Sequence, residues 1–314
     1  MKLIIQIPCF NEEETLTETI TALPKHIDGI DVIETMIIDD GSLDKTTDVA
    51  SWNGINHIIT LPRHTGLAGA FKTGINEALK RGADIIVNTD ADNQYNADDI
   101  QCLVRPILEN NADMVIGARP IDNIKGFTLA KKIFQKVGSF IMSLVCSTDI
   151  MDAPSGFRAL SAECASVLNI FDNYTYTMET IIQAKAKGLR ILSVPVRVNP
   201  QTRKSRLVKS IFSYIKKSAF TILRMFIVYR PFRFFAFISA IFLTLGIILA
   251  ARFLYYYFNS QGSGHIQSLI LAAILILTGV QTGLIGVLAD LCAINRKLSE
   301  DIQLRVKRLE NKHN

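Results

Sequence analysis

Through the first two hundred residues the chain alternates short apolar, β-rich runs with amphipathic stretches of helical period, and beyond them the pattern becomes almost continuously apolar. Lys2–Ile7 reads as a strand ending at Pro8. Asn11, with Glu14 three residues on, predicts a capping box for a helix that runs to about Leu23. Ile33–Ile38 reads as a second strand, closing in Asp39-Asp40-Gly41-Ser42, and Asn56–Thr60 as a third. Pro62–Gly66 then leads into a Gly/Ala-rich helix ending near Arg81. Asp84–Asn88 reads as a buried strand followed by Asp90-Ala91-Asp92-Asn93-Gln94, then a helix over Ala97–Asn110 and a strand over Asp113–Gly117. Alternation at this spacing predicts an α/β domain, a mostly parallel sheet with helices on both faces. The charged turns all fall at the carboxyl edge of that sheet, where open α/β folds bind ligands.

Further on, Leu207–Tyr229 places Ile211, Phe212, Ile215, Phe220, Leu223 and Phe226 at helical spacing, interleaved with Lys209, Lys216, Lys217 and Arg224. Such a helix suits a membrane interface. Phe232–Phe258 and Ile266–Ala289 each exceed the roughly 20 residues that cross a bilayer as a helix. The connection Asn259–His265 has no Lys or Arg, whereas both outer flanks are basic, so the positive-inside rule puts both flanks in the cytosol. Arg252 lies near the far end of the first span, where its side chain can snorkel to headgroups. The predicted organisation is a cytosolic α/β domain over 1–206, an amphipathic interfacial region over 207–230, two transmembrane helices within 231–290 (232–258 and 266–289) and a cytosolic helical tail over 291–314. This describes an integral protein of the plasma or inner membrane with both termini inside.

Composition agrees: 49% of the 314 residues are hydrophobic and the mean hydropathy is +0.25. The net charge of +5 concentrates beside the spans, which favours anionic lipid or a phosphate substrate over nucleic acid. Cys9, Cys102, Cys146, Cys164 and Cys292 lack paired spacing and read as reduced thiols. The chain starts directly on a strand pattern, without a signal-sequence pattern.

Asp90 and Asp92, at i and i+2 of an extended chain, project from the same side. Such a pair can hold a divalent metal against a diphosphate. The sequence has neither a G-x-G-x-x-G turn after its first strand nor a P-loop, so phosphates would be held by metal and side chains. Oxygen ligands without His or Cys point to Mg²⁺ or Mn²⁺.

In their order, Pro8-Cys9-Phe10-Asn11-Glu12, Asp39-Asp40-Gly41-Ser42 and Asp90-Ala91-Asp92-Asn93-Gln94 resemble the motifs of family 2 inverting glycosyltransferases with the GT-A (Rossmann-like) fold. Gly117-Ala118-Arg119, the run from Asp152 to Arg158 and the membrane hairpin narrow the resemblance to polyprenyl-phosphate glycosyltransferases acting on dolichyl or undecaprenyl phosphate. The resemblance implies metal-dependent transfer, with inversion, of a sugar from a UDP- or GDP-sugar to a polyprenyl phosphate, undecaprenyl phosphate being preferred, at the cytosolic membrane face. It implies that Pro8, Phe10, Glu12 and one or both of Asp39 and Asp40 hold the base and ribose. Asp90 and Asp92, with Ala91 between them and Gln94 nearby, would engage the sugar diphosphate and its metal. Arg119 and Arg158 would lie around the donor and acceptor phosphates, and Arg203 in Gln201–Arg206 would close over the diphosphate. The group, in which tetramers are known, is also compatible with a homo-oligomer, with subunit number open.

His64 departs from the Asn that many relatives carry, and Lys131, Lys132 and Lys136 stand where relatives place Arg ahead of a Ser, here Ser139. Asp152 is a candidate base, with positioning of the acceptor or of Arg158 an equal alternative. Glu179 reads as a helix-surface residue. Two other readings compete: transfer to a lipid alcohol, which would require a real base at Asp152, and a membrane-tethered nucleotide-binding scaffold without activity. A processive polysaccharide synthase would carry Q-x-x-R-W, and the single tryptophan is Trp52.

Overall fold

The computed structural model describes residues 1–120, 129–146, 148–170, 176–200, 231–258 and 266–313, together with Leu223 and Ile227. The chain divides into two compact units, Met1–Ile222 and Leu223–Asn314.

The first unit is built on a seven-stranded sheet: β1 (Lys2–Cys9), β2 (Val32–Asp39), β3 (His57–Thr60), β4 (Ile85–Asn88), β5 (Met114–Ala118), β6 (Arg158–Ser161) and β7 (Ile191–Pro195). Their spatial order is β3-β2-β1-β4-β6-β5-β7. β6 runs antiparallel to both β4 and β5, and the other pairings are parallel. β1 is buried from Leu3 to Cys9 and β4 throughout, as expected of parallel strands covered on both faces. The covering helices are α1 (Leu16–Ala22), α2 (Thr46–Trp52), α3 (Leu67–Lys80), α4 (Ile100–Leu108), α5 (Leu129–Cys146), α6 (Ala162–Val167) and α7 (Thr177–Ala186). Leu16, Val49, Leu103 and Val104 pack with Ile5, Ile7, Ile37 and Val87 in the main core.

The alternation predicted for the first 118 residues is present, with two corrections. Asn11 is not a helix cap: its φ of 55° is left-handed, its Oδ1 accepts from Leu43 N, and α1 begins only at Leu16. The helix predicted over Ala97–Asn110 starts as a 3₁₀ turn, Ala97–Asp99, capped by Asn96 Oδ1 accepting from Asp98 N. It then continues as α4 and stops before Asn110, again left-handed.

Two polar residues sit fully buried as register partners, Gln6 in the middle of β1 and Asn88 at the end of β4. Gln6 requires Gly74 on α3 opposite it. A Cβ at residue 74 would lie 2.3 Å from Gln6 Oε1 and 2.8 Å from Ile38 Cδ1. Gly74→Ala is therefore expected to destabilise the protein by on the order of 2 kcal/mol through overpacking, read as a lowered melting temperature. Gly138→Ala on α5, where nothing lies within 4 Å, is the control and should be neutral or stabilising.

The second unit consists of α8 (Pro231–Phe258) and α9 (Ile266–His313). They pack antiparallel through small residues: Gly246 against Ile276, Gly279 against Leu243, Gly283 against Ser239 and Gly286 against Phe235. Ser239 Oγ donates to Gly279 O at 2.7 Å. Small residues let helix backbones approach closely where no hydrophobic drive between helices exists. The most apolar windows of the two helices are only 11% and 17% buried, with Phe237, Ile247, Leu277 and Leu288 all at least 60% exposed. Apolar surface of this extent on helices of this length is what a bilayer covers. Arg252 lies over the ring of Tyr256, 5.9 Å from its centroid. The second helix does not end near Ala289: the 291–313 tail continues it without a break, making one helix of 48 residues. The amphipathic stretch 207–230 lies outside the described residues apart from Leu223 and Ile227.

Candidate active site

The carboxyl edges of β1, β2 and β4 gather the predicted motifs. Pro8 pairs in register with Ile38 and Cys9 with Asp39. Beyond them the loop after β1 is clasped to the loop after β2. Asn11 N donates to Ser42 Oγ at 2.9 Å, Glu12 N to Thr46 Oγ1 at 2.8 Å, and Thr15 Oγ1 to Glu12 Oε2 at 3.0 Å. Phe10 stays exposed, its ring centroid 4.1 Å from that of His64.

Asp39 and Asp40 are both buried but differently engaged. Asp39 Oδ1 accepts from Ser42 N at 3.1 Å. Asp40 uses both oxygens inside the protein: Oδ1 takes Thr65 N and Oγ1, and Oδ2 takes Gly66 N and lies 2.8 Å from His64 Nδ1. Asp40 thus shapes the loop that leads into α3, where Gly66 holds a φ of 86° that favours glycine.

At the end of β4, Ala91 O accepts from Thr15 Oγ1 and Thr19 Oγ1, fixing the backbone between Asp90 and Asp92 to α1. Asp92 Oδ1 accepts from Gln94 N at 3.2 Å, and Gln94 O accepts from Asn199 N at 2.9 Å. Asn199 Nδ2 also donates to Asn93 O, so residues 196–200 are tied to the segment carrying the two carboxylates. Burial, then the Asp92 charge, push the Asp90 carboxyl up from 3.8 to about 7; Arg119 pulls it back and Glu12 adds to the rise. Asp90 therefore sits in an excess of negative charge that a cation would relieve.

Among the described residues no three His, Cys, Asp or Glu side chains converge on a metal position. The donor set is two hard carboxylates with Gln94 beside them, which fits Mg²⁺ or Mn²⁺ completed by phosphate oxygens and water. It does not fit a closed structural zinc site.

Arg119 and Asp152 form a bidentate pair at 2.6 Å and 3.0 Å, with Asp152 fully buried and Arg119 9% exposed. Tyr95 lies under the guanidinium at 5.9 Å and stacks on Phe157; burial pushes its phenol up to about 12. Arg158 was expected beside phosphates, and the structure places it fully in the interior. Its guanidinium donates to Ser155 O, Ala153 O, Thr177 O and Thr180 Oγ1, and burial lowers it to about 10, still a cation at neutral pH. Glu179, expected on a helix surface, is buried. In α7, where apolar and polar residues are interleaved and Thr177–Ala184 are all buried, no periodicity marked this burial. Ser139 Oγ accepts from Ala153 N at 3.1 Å, and Lys136 is exposed. Arg203 lies outside the described residues, as do Arg206 and the side chains of Lys131 and Lys132.

Sequence reasoning missed a buried polar chain beneath Asp90. Gln6 Nε2 donates to Asn88 Oδ1 at 2.9 Å, and Asn88 Nδ2 donates to both Gly156 O at 2.9 Å and Tyr176 Oη at 3.0 Å. Tyr176 stacks on Phe71 with centroids 3.7 Å apart. The available signal was a Gln and an Asn inside runs otherwise composed of Ile, Leu and Val. Polar groups placed there cost roughly 1–3 kcal/mol each where a bond is left unmade, and Gln6 Oε1 has no partner.

The profile of Glycosyl transferase family 2 matches residues 4–168. The UDP-N-acetylglucosamine–dolichyl-phosphate N-acetylglucosaminyltransferase of Methanococcus voltae is 33% identical over 214 residues, covering 61% of this chain and 83% of that protein. The undecaprenyl-phosphate mannosyltransferase of Micrococcus luteus is 26% identical over 206 residues, covering 62% and 83%. Among solved structures, glucosyl-3-phosphoglycerate synthase from Mycobacterium tuberculosis, in complex with Mn²⁺, UDP and glucosyl-3-phosphoglycerate, superimposes with a TM-score of 0.56 over 72% of this chain and 78% of that one, at 18% identity. That likeness fixes the fold as GT-A. With the family profile spanning β1 to α6, and two apolar helices marking a membrane protein, the chain belongs to glycosyl transferase family 2 and is a glycosyltransferase.

Proposed function

We propose that the protein transfers a sugar, with inversion, from a UDP- or GDP-sugar to a polyprenyl phosphate at the cytosolic face of the membrane. The observation that carries this reading is the engagement of Asp152. An alcohol acceptor needs a base to take its proton, and the candidate base is buried and held by both oxygens to Arg119. A phosphate monoester, with a second pKa near ~6, is already an anionic nucleophile at neutral pH. The acceptor names of the Methanococcus and Micrococcus relatives point the same way.

In the proposed step an acceptor phosphate oxygen attacks the anomeric carbon, the bond from that carbon to the diphosphate oxygen breaks, and the electron pair leaves with the nucleoside diphosphate. Asp90 and Asp92, with Gln94, would hold Mg²⁺ or Mn²⁺, which when bound supplies positive charge to the leaving diphosphate. Glu12, Asp39, Pro8 and Phe10 line the edge where the nucleoside would sit. Arg119 adds fixed positive charge beside the carboxylates. Arg158 acts through the 153–155 backbone, which it holds in place, rather than by touching phosphate.

Arg203 follows Asn199 by four residues, and Asn199 is anchored to Asn93. Arg203→Ala is expected to lower kcat by on the order of 10²–10³ with the melting temperature unchanged; wild-type kinetics in a folded variant would remove Arg203 from the reaction.

The test of the whole reading is transfer by the purified protein in detergent, with undecaprenyl phosphate or diacylglycerol as acceptor, Mn²⁺ or Mg²⁺ and a panel of labelled UDP- and GDP-sugars. Metal-dependent labelling of the lipid phosphate, absent in Asp92→Ala, supports it. Labelling of diacylglycerol instead would overturn the acceptor assignment, and no labelling with any donor would return the scaffold reading.

A further inference from the structure

Tyr176 lies beyond the family profile, which ends at residue 168, and outside the motifs, yet it is joined to Asn88 and Gly156, which lie within the profile. Asn88 Nδ2 donates at once to Tyr176 Oη and to Gly156 O, tying the first residue of α7's approach to the loop before β6. Gly156 in turn faces Asp90. A Cβ at residue 156 would meet Tyr176 Oη at 3.0 Å and Asp90 Oδ1 at 3.1 Å. The phenol and the carboxylate therefore flank the same backbone atom, one from below and one at the site. Tyr176 has no latitude of its own: its ring is buried, stacked on Phe71, with the Arg158 guanidinium carbon 5.9 Å from its centroid.

A phenylalanine would fill this position and keep the Phe71 stack. A hydroxyl there, with two amides leading to it through the middle of the sheet, is a departure from an apolar core, and such departures mark functional sites. We propose that Tyr176 is a positioning residue: through Asn88 and the backbone of Gly156 it sets the place of Asp90 and so the geometry in which Asp90 and Asp92 hold a divalent cation. This rests on the metal reading of the two aspartates given above. It predicts that the hydroxyl matters to cation binding and not to the nucleoside half of the site, which is built from the β1 and β2 loops on the other side of Asp90.

The experiment uses the full-length protein in detergent and two isotherms: Mn²⁺ in the presence of saturating UDP or GDP, whichever binds, and that nucleotide without metal. Tyr176→Phe is expected to weaken Mn²⁺ about tenfold while metal-free nucleotide affinity stays within error of wild type. Asn88→Leu, of similar volume and lacking the donor, should weaken Mn²⁺ by at least as much. Asp92→Ala serves as the cation-site control. Wild-type Mn²⁺ affinity in Tyr176→Phe overturns the proposal while leaving the metal site intact. Equal loss of Mn²⁺ and metal-free nucleotide binding also overturns it, because a general loosening of the fold would then be the cause. A wild-type protein that binds no Mn²⁺ with either nucleotide overturns the metal reading and this inference together.

Discussion

Replacing Asp90 with asparagine is expected to reduce transfer by at least a thousandfold and, in metal-free buffer at pH 8, to raise the melting temperature. On the proposed metal site, the loss follows from removing one of the two carboxylates that would hold the cation. The gain follows from the carboxyl being pushed from 3.8 to about 7 by burial and by Asp92. A group whose folded pKa lies above its unfolded value stabilises the fold only in its protonated form, so its contribution turns unfavourable as pH rises from about 4 and the penalty is complete above about 7. Asparagine removes that penalty. At about 1.4 kcal/mol for each tenfold change in proton affinity, the ceiling on the gain is about 4 kcal/mol, and relaxation around the half-buried site brings it lower. Melting curves of the two proteins between pH 4 and pH 8 check this. The variant's advantage should vanish near pH 4 and grow to its maximum above pH 7; a constant difference, or a less stable variant at pH 8, would refute the electrostatic account. Sites that carry uncompensated charge for function commonly trade stability in this manner.

The second large effect is expected at Asp152. Asp152→Asn leaves Arg119 buried opposite a neutral amide, and breaking one partner of a buried pair costs about 3–5 kcal/mol. The melting temperature should fall by roughly 10 °C, and transfer should fall with it. Asp152→Asn combined with Arg119→Gln removes both charges and should recover part of the stability but none of the activity, a coupling that a double-mutant cycle measures directly. A general base predicts a different pattern. In that case Asp152→Asn would keep wild-type stability and lose the alkaline or acidic limb of its rate profile, and the lipid-alcohol acceptor would regain the lead.

The first half of the fold was readable because β1 and β4 are almost wholly buried, β2 is buried over its second half, and its turns carry charge. Lys2–Cys9, Val32–Asp39 and Ile85–Asn88 announce themselves as runs of Ile, Leu and Val broken at Asp, Gly or Pro. The second half was not. β6 reads Arg-Ala-Leu-Ser, and its leading residue is a cation wholly buried among carbonyls. α7 buries Glu179 and Gln183 beside Ile181 and Ile182, so it has no polar face to give it a period. At the site, residue types were legible and orientations were not. Nothing in the spacing of Asp39 and Asp40 says that the second spends both oxygens on the 64–66 loop, or that Asp152 faces Arg119. Asn11 misled because an Asn followed by Glu14 is the pattern of a capping box, while a left-handed Asn uses the same side chain to reach Leu43.

The position of β6 also bears on how the enzyme comes into being. Among the described residues it is the strand that joins the β3-β2-β1-β4 half of the sheet to the β5-β7 half. Asn88 and Gly156, which it brings together, are 68 residues apart. Closing so long a span before any contact rewards it makes this a late event in folding. A chain halted on the ribosome, or clipped, before Arg158 would already contain Asp90 and Asp92, yet would expose the free edge of β4 and leave β5 without its neighbour. Such an edge recruits other strands and proteases. Truncated products of this gene are therefore expected to aggregate or be cleared rather than persist as a half-built enzyme.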